Sequence, residues 1–181
     1  MSETYVALLR GINVGGNNKL PMADLREMFI AAGCAEVKSY IQSGNVIFKA
    51  TRSEASEIPG IVGARIAATF GYRTPLLLRT VEQLGDVLQN NPFLTDMETD
   101  DRHYVMFLDG EPDPARVESL DPNLSAPDRY ELRGQEVYLS LRAGAATTRL
   151  TNNYFDTKLR TISTMRNWRT VTTLLELMGG S

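Results

Sequence analysis

The sequence predicts an α+β fold built from two ferredoxin-like (split βαβ) units, each an antiparallel sheet with helices packed on one side. The main observation is that the succession strand, helix, hairpin, helix, strand occurs twice within 181 residues. The second is that residues of similar type recur at an offset of about 90 residues, which is typical of an internal duplication. At that offset Tyr40 aligns with Tyr130 and Gly44 aligns with Gly134.

The first predicted unit covers residues 1–91, and local signals define its elements. Pro21 suits the first turn of a helix, and Gly33 stands where that helix would stop. Thr80 and Gln83 have the spacing of a capping box, in which each side chain accepts a hydrogen bond from the other residue's backbone N–H. The predicted elements are a strand at 5–10, a helix from 21, a hairpin of strands 37–42 and 45–50, a helix at 54–70, a strand at 74–79 and a helix from 80.

The second predicted unit covers residues 92–181 and repeats the order. Arg133-Gly134 forms its hairpin turn, Asn167 is a good N-cap for the last helix, and Gly179 a good stop. The predicted elements are a strand at 104–108, a short helix at 114–120, strands at 129–132 and 137–141, a helix at 152–159, a strand at 161–165 and a helix that carries Val171, Leu174, Leu175 and Met178.

Composition excludes several classes of protein. One cysteine, Cys34, and one histidine, His103, are too few for the common zinc sites or an internal disulfide, so no metal is expected. No cofactor is expected either. We expect Cys34 to be a small apolar filler and His103 a surface or edge residue beside a carboxylate. With neither a signal peptide nor a long apolar run, the chain is expected to be cytoplasmic and not membrane-bound.

The net charge of −3 is unevenly distributed. Residues 1–81 carry nine Lys/Arg and six Asp/Glu, residues 82–136 carry four and fourteen, and residues 137–181 carry six and two. Basic ends favour a local patch for an anionic ligand and argue against broad duplex binding, for which the whole domain is usually basic. A purely solvated acidic face remains open as an explanation of the middle segment.

The connection between the first strand and helix, Gly11 to Lys19, is about twice as long as its counterpart at 109–113. It holds three glycines and three asparagines, with Arg10 and Lys19 at its ends. Backbone N–H groups in such a loop favour phosphate or carboxylate. The segment is not a P-loop, because Asn17-Asn18 stand where Lys-Ser/Thr is required. A merely structural connection is the alternative. Loop residues expected to bind are Arg10, Asn13, Gly15, Gly16 and Lys19.

A second candidate segment is Arg166-Asn167-Trp168-Arg169-Thr170, which contains the sole tryptophan beside two arginines. An aromatic ring beside guanidinium groups can stack a base while its phosphate is paired. We expect Arg166 to keep its head group free ahead of the helix. Trp168 either stacks on a base in this way or anchors the last helix in the core. Further candidate ligand-binding residues are Lys158, Asn167 and, in the first hairpin, Gln42, Ser43 and Asn45.

These motifs resemble those of DUF1697, a bacterial family of unknown function. The motifs are LRGINVGG with Lys19, PMADLR from Pro21, YIQSGNV from Tyr40, NPF from Asn91 and RNWRTV from Arg166. The resemblance runs from near residue 4 to near residue 178. It does not indicate which activity the protein has, because the function of the family is unknown. Family members commonly have lysine at Asn17 and a GRSK-like stretch where 146–149 reads ATTR. Their acidic-Lys pair stands here as Asp156-Thr157, with Lys158 one position later.

Three functions remain open from the sequence. The first is binding of an anionic small molecule, a nucleotide or single-stranded nucleic acid on a basic surface formed by the 10–19 loop and the 166–169 segment. The second is an enzyme acting on a small phosphorylated or carboxylated substrate, with Asp24 or Asp156 as base. The third is an interaction module that dimerises through a sheet edge or the acidic segment.

Overall fold

The computed structural model describes residues 1–96, 102–142 and 144–179. These residues form two four-stranded antiparallel sheets and six α-helices, which confirms the predicted mixture of helices and antiparallel strands. The chain divides into two compact units: unit 1 is Met1–Gly85 with Leu174–Ser181, and unit 2 is Asp86–Thr173. The halves 1–91 and 92–181 stay a prediction.

Unit 1 has the sheet order β2-β3-β1-β4. The central strand β1 pairs with β3 and with β4 and is buried on both faces, which explains its continuous apolar sequence. Its elements are β1 (Ser2–Leu9), α1 (Met22–Ile30), β2 (Ala35–Tyr40), β3 (Asn45–Thr51), α2 (Arg52–Phe70) and β4 (Leu76–Thr80), followed by α3 (Val81–Gln89).

Both helices of unit 1 pack on the same face of the sheet. Phe29 of α1 lies against Phe48 of β3, with ring centroids 5.2 Å apart, and Ile58 and Ile66 of α2 belong to the same core. On β1 this core takes alternate residues, Tyr5, Ala7 and Leu9, as the pleat requires. The helix-covered face of the sheet is therefore the hydrophobic core of unit 1.

Unit 2 has the sheet order β6-β7-β5-β8, with β5 central. Phe155 of α5 packs edge-on against Tyr130 of β6, with ring centroids 5.4 Å apart, in a core that also contains Met106 and Leu139. After a 3-10 turn at Leu94–Asp96, its elements are β5 (His103–Leu108), α4 (Pro114–Glu118), β6 (Arg129–Arg133), β7 (Glu136–Ser140), α5 (Asn152–Leu159) and β8 (Ser163–Asn167), followed by α6 (Trp168–Leu177).

The predicted helix caps are confirmed. Thr80 N–H donates to Gln83 Oε1 (2.9 Å) and Gln83 N–H donates to Thr80 Oγ1 (3.2 Å), closing the capping box of α3. Thr170 N–H donates to Asn167 Oδ1 (2.8 Å) at the start of α6. A further capping box, Thr51 with Glu54, starts α2 two residues earlier than predicted.

Candidate anion-binding site

Three connections of unit 1 emerge at the same end of its sheet. Leu8 pairs with Asn45, and Leu9 pairs with Leu76, so the end of β1 lies beside the starts of β3 and β4. The connection after β1, the turn before β3 and the connection before β4 are therefore neighbours. We call residues 10–19, 40–44 and 72–74 together the basic tip.

The glycine-rich connection forms a small hairpin. Asn17 N–H donates to Val14 O (3.0 Å), and Asn13 N–H donates to Asn18 O (3.1 Å). Gly15 and Gly16 occupy the two turn positions with φ of +57° and +79°, the pair of positive values that a type I′ turn needs. Within the described residues, no hydrogen bond uses the N–H of Gly15 or Gly16. Both N–H groups at the hairpin end can therefore donate to an acceptor on a ligand.

Side-chain hydrogen bonds hold this hairpin to the other two segments. Asn13 Nδ2 donates to Leu20 O and to Gln42 O, both at 2.9 Å, and Asn13 Oδ1 accepts from Leu20 N–H. Tyr72 Oη donates to Asn18 O (3.0 Å), and Thr74 Oγ1 donates to Arg10 O. Asn13 has positive φ (+54°), which asparagine tolerates. The loop that the sequence predicts to bind an anion is thus held in place by side-chain hydrogen bonds.

The basic tip is cationic and its segments contain no carboxylate. Its cations are Arg10, Lys19 and Arg73, and neither aspartate nor glutamate occurs in residues 10–19, 40–44 or 72–74. Arg10 is half-buried, whereas Lys19 and Arg73 are exposed. Among the described residues, neither Lys19 nor Arg73 forms an ion pair. Their positive charge is available to an anion from solvent.

The remaining residues predicted in the first hairpin are placed differently. Gln42 is exposed and Ser43 is half-buried. Asn45 is fully buried, and its Nδ2 donates to Tyr40 O (3.2 Å) and Ser43 Oγ (2.9 Å). Gln42 and Ser43 therefore belong to the surface of the basic tip, while Asn45 shapes the turn from within.

Arg166 does not have the free head group that the sequence predicted. It lies in β8 opposite Val105 of the central strand, is 7% exposed, and donates from Nη1 to Thr164 Oγ1 and to Met165 O, both at 2.9 Å. Burial lowers the pKa of Arg166 to about 10. The prediction is wrong because β8 runs two residues further than expected and carries Arg166 into the sheet.

The remaining predicted residues are an N-cap, a buried ring, a surface lysine and two carboxylates. Asn167 caps α6, and Trp168, the first residue of that helix, is 5% exposed. Lys158 is exposed on α5. Asp156 is half-buried and accepts from Ser163 Oγ (2.6 Å), while Asp24, the other proposed base, is exposed on α1.

His103 and Cys34 are both buried. His103 is 3% exposed because it begins the central strand β5 opposite Ser140, so the predicted surface position is wrong. Cys34 lies in the core of unit 1, as predicted, and burial raises its pKa to about 11, with the charge of Glu54 as a second cause. A buried, protonated thiol is a poor nucleophile.

The raised pKa of Cys34 predicts a loss of stability at alkaline pH. The folded protein keeps the thiol proton up to about pH 11, whereas the unfolded chain releases it near pH 9. The unfolded state then binds fewer protons, so the free energy of unfolding falls as pH rises through this window. We expect wild type to lose more stability than Cys34→Ala between about pH 8 and about pH 10, measured by urea unfolding. Parallel curves for the two proteins would contradict the buried-thiol assignment.

The corresponding end of unit 2 differs in shape and charge. A groove of about 540 Å³ lies there between the β5–α4 connection and the α5–β8 connection. Its charged lining residues are Asp109, Glu111, Asp113, Arg116 and Arg160. Both signs of charge are present there, whereas the three segments of the basic tip in unit 1 carry cations and no carboxylate.

Tyr72 and Arg73 belong to the basic tip but were not predicted. Tyr72 donates to Asn18 O, and Thr74, which follows Arg73, donates to Arg10 O; both acceptors are more than fifty positions away in the chain. The available signal was topological: in a split βαβ unit the last strand lies antiparallel to the first, which puts the connection before it beside the loop after the first.

The described residues contain neither a membrane-spanning helix nor a cluster of metal-ligating side chains. None of the described helices has both the length and the apolar character needed to cross a membrane. Within the same residues, no group of three or more His, Cys, Asp or Glu side chains is arranged to hold a metal ion.

The chain is similar throughout its length to a solved structure. This is the structure of conserved bacterial protein SP0830 from Streptococcus pneumoniae, with a TM-score of 0.74, 24% identity, and coverage of 98% of this chain and 99% of that one. At this identity the likeness concerns the fold alone. No match was found among curated proteins.

A family model supports the resemblance seen in the motifs. The model for proteins of unknown function, DUF1697, matches residues 2–138. The match includes all three segments of the basic tip and ends before Arg166. The chain belongs to the DUF1697 family.

Proposed function

We propose that this protein binds a phosphate-bearing ligand at the basic tip of unit 1, with Lys19, Arg73 and the amides of Gly15 and Gly16 in contact with its phosphate groups. The observation that carries the proposal is that hydrogen bonds join three carboxylate-free segments, two of which carry the cations Arg10, Lys19 and Arg73. Cations and preorganised N–H groups are the donors that phosphate oxygens accept from most strongly. The proposal includes a cytoplasmic setting.

The geometry favours the hairpin over the 166–169 segment as the phosphate contact. Arg166 and Trp168 are buried, and the side chain of Asn167 is engaged at the start of α6. Gly15 and Gly16, by contrast, are exposed, and a Cβ added at either would meet no atom within 4 Å. Open space around a glycine backbone allows a ligand to approach it closely.

Removing either exposed cation is expected to weaken phosphate binding. For Lys19→Ala and for Arg73→Ala we expect about a fivefold loss of affinity for tripolyphosphate, since an exposed contact between unit charges is worth about 1 kcal/mol. NMR titration would measure it, with the amide signals of Gly15 and Gly16 as the predicted reporters. Arg52→Ala is the matched control: Arg52 is also exposed, but it follows Thr51, which pairs with Ser2 at the opposite end of β1.

A glycine substitution separates the turn from the ligand contact. Asparagine tolerates positive φ, as Asn13 and Asn18 of this hairpin show. Gly15→Asn should therefore retain the turn while its side chain obstructs the backbone N–H groups at the hairpin end. We expect weaker tripolyphosphate binding with an unchanged thermal midpoint. Unaltered binding in Gly15→Asn, Lys19→Ala and Arg73→Ala together would refute the proposed site.

The fold proposal is that the two units are duplicated ferredoxin-like units. Both have the order strand, helix, two strands, helix, strand, and their sheet orders, β2-β3-β1-β4 and β6-β7-β5-β8, correspond. Backbone bonds correspond too: Leu9 N–H to Gly44 O matches Leu108 N–H to Gln135 O, both 2.9 Å. These matches do not keep the single offset of 90 residues used on the sequence, because the connections differ in length.

A further inference from the structure

We infer that the phosphate-bearing ligand of the basic tip is single-stranded nucleic acid; the inference rests on the proposed function. The observation behind it is that an aromatic residue adjoins both exposed cations, one along the chain and the other through a backbone contact. Tyr72 precedes Arg73 in the chain, and its Oη lies 3.4 Å from the backbone oxygen of Lys19. Proteins that bind single strands combine cations along the backbone with rings on which bases stack.

The ring of Tyr72 is held in a fixed place. Its hydroxyl donates to Asn18 O at 3.0 Å, and its ring centroid lies 6.4 Å from that of Phe70 at an interplanar angle of 45°. Tyr72 is nevertheless only half-buried. A preorganised and partly exposed ring loses little conformational entropy when a base packs on it.

The adjacent turn adds apolar and polar surface beside the hairpin. Ile41 is 49% exposed and has φ of +49°, a left-handed conformation that is unfavourable for a β-branched residue. Gln42, next in the chain, is exposed and accepts the hydrogen bond of Asn13 through its backbone oxygen. Its side-chain amide is therefore available to the edge of a base, and Ile41 to its face.

The arrangement favours a strand over a mononucleotide. Lys19 lies three positions from Gly16 along the hairpin, a chain length of at most about 10 Å. A single phosphate group contacts one part of that length, whereas successive phosphates of a strand contact several. With three cations in a protein of net charge −3, the surface is also smaller than the basic face that duplex binding usually requires.

The test compares ligands of increasing length on the full chain. Uridine monophosphate, tripolyphosphate and an oligouridylate of about eight nucleotides are titrated in parallel, the last by fluorescence anisotropy. We expect the oligonucleotide to bind at least about tenfold more tightly than the monophosphate, through stacking and added phosphate contacts. If Lys19 and Arg73 pair with phosphates, raising salt from about 50 to about 200 mM weakens binding roughly sevenfold, and roughly threefold in Lys19→Ala.

Variants of Tyr72 distinguish stacking of a base on the ring from the hydrogen bond by which the hydroxyl holds the hairpin. Tyr72→Phe removes the hydrogen bond to Asn18 and retains the ring, so it should keep most of the oligonucleotide affinity. Tyr72→Ala removes the ring and should lose about fivefold or more, with little effect on tripolyphosphate. Circular dichroism confirms that each variant is folded.

The outcomes distinguish the two proposals. If tripolyphosphate and uridine monophosphate bind as tightly as the oligonucleotide, or if Tyr72→Ala binds it like wild type, the nucleic-acid inference is overturned while the phosphate site stands. If none of the three compounds binds, both proposals fail. Length-dependent binding that requires the Tyr72 ring and falls with salt supports both.

Discussion

Gly44→Ala is expected to destabilise unit 1 by about 2–4 kcal/mol, through backbone strain and overpacking together. Gly44 ends the turn between β2 and β3 with φ of +81°. An added Cβ would lie 2.8 Å from Leu9 Cβ and 2.8 Å from Ile12 Cδ1. The first of these neighbours is fixed to the central strand β1, so it cannot move aside as the end of a flexible side chain would.

Gly134→Ala is the matched control for this prediction. Gly134 lies in the turn between β6 and β7, also has positive φ (+57°), and has open space around the position of a Cβ. Its substitution should cost only the strain of the left-handed backbone, about 1 kcal/mol. Chemical denaturation of both variants measures the difference. Equal losses would contradict the claim that Leu9 and Ile12 leave no room at Gly44.

The same glycine also connects the core to the proposed site. Leu9 N–H donates to Gly44 O, and the turn before Gly44 contains Gln42, whose backbone oxygen accepts from Asn13. A side chain at Gly44 that moved Ile12 would therefore also disturb the hairpin. For that reason the phosphate-binding proposal is tested with Lys19 and Arg73, whose side chains are exposed.

Elements with strong local signals were predictable from the sequence. The bounds of α5, Asn152–Leu159, match the prediction, and the capping residues Thr80, Gln83 and Asn167 bond as expected. In each case the signal lies within a few residues of the element it defines. Such caps satisfy backbone donors that no tertiary contact needs to supply.

Features set by pairing between distant segments were not predictable in the same way. The bounds of β8 moved from 161–165 to Ser163–Asn167 because its register is fixed by β5, where Tyr104 pairs with Asn167. That shift carried Arg166 into the sheet. His103 was misplaced for a related reason, since only the strand order shows that β5 is central.

The candidate site was predictable in part. The glycine-rich loop and the turn containing Gln42 were identified because their residue types are unusual within the sequence. The contribution of Tyr72 and Arg73 depends on the pairing of β1 with β4, which brings residue 74 within hydrogen-bonding distance of Arg10. The exposure of side chains in the structure also distinguished between alternatives that the sequence left open. For Trp168, burial favours the core anchor over the stacking ring.

Trp168→Ala is expected to destabilise the protein by about 3–5 kcal/mol, because it removes a large, buried ring. Trp168 is 5% exposed at the first position of α6, and Val171, Leu174 and Leu175 of the same helix are also buried. A ring that contributes to the core should not be required for ligand contact. Trp168→Phe retains much of the apolar volume and should lose less stability than Trp168→Ala.

Two measurements on this tryptophan separate a core role from a ligand platform. Unfolding of the variants is followed by circular dichroism, because Trp168 is the sole tryptophan and its removal abolishes the tryptophan fluorescence. In wild type, a buried ring should give blue-shifted emission that acrylamide quenches poorly and that tripolyphosphate or oligouridylate leaves unchanged. Strong quenching by the oligonucleotide, together with small losses of stability in both variants, would instead place Trp168 at the ligand. If Trp168 belongs to the core, the oligonucleotide should leave its emission unchanged and Trp168→Ala should lose much stability. A ring packed inside the folded protein cannot also stack on a ligand.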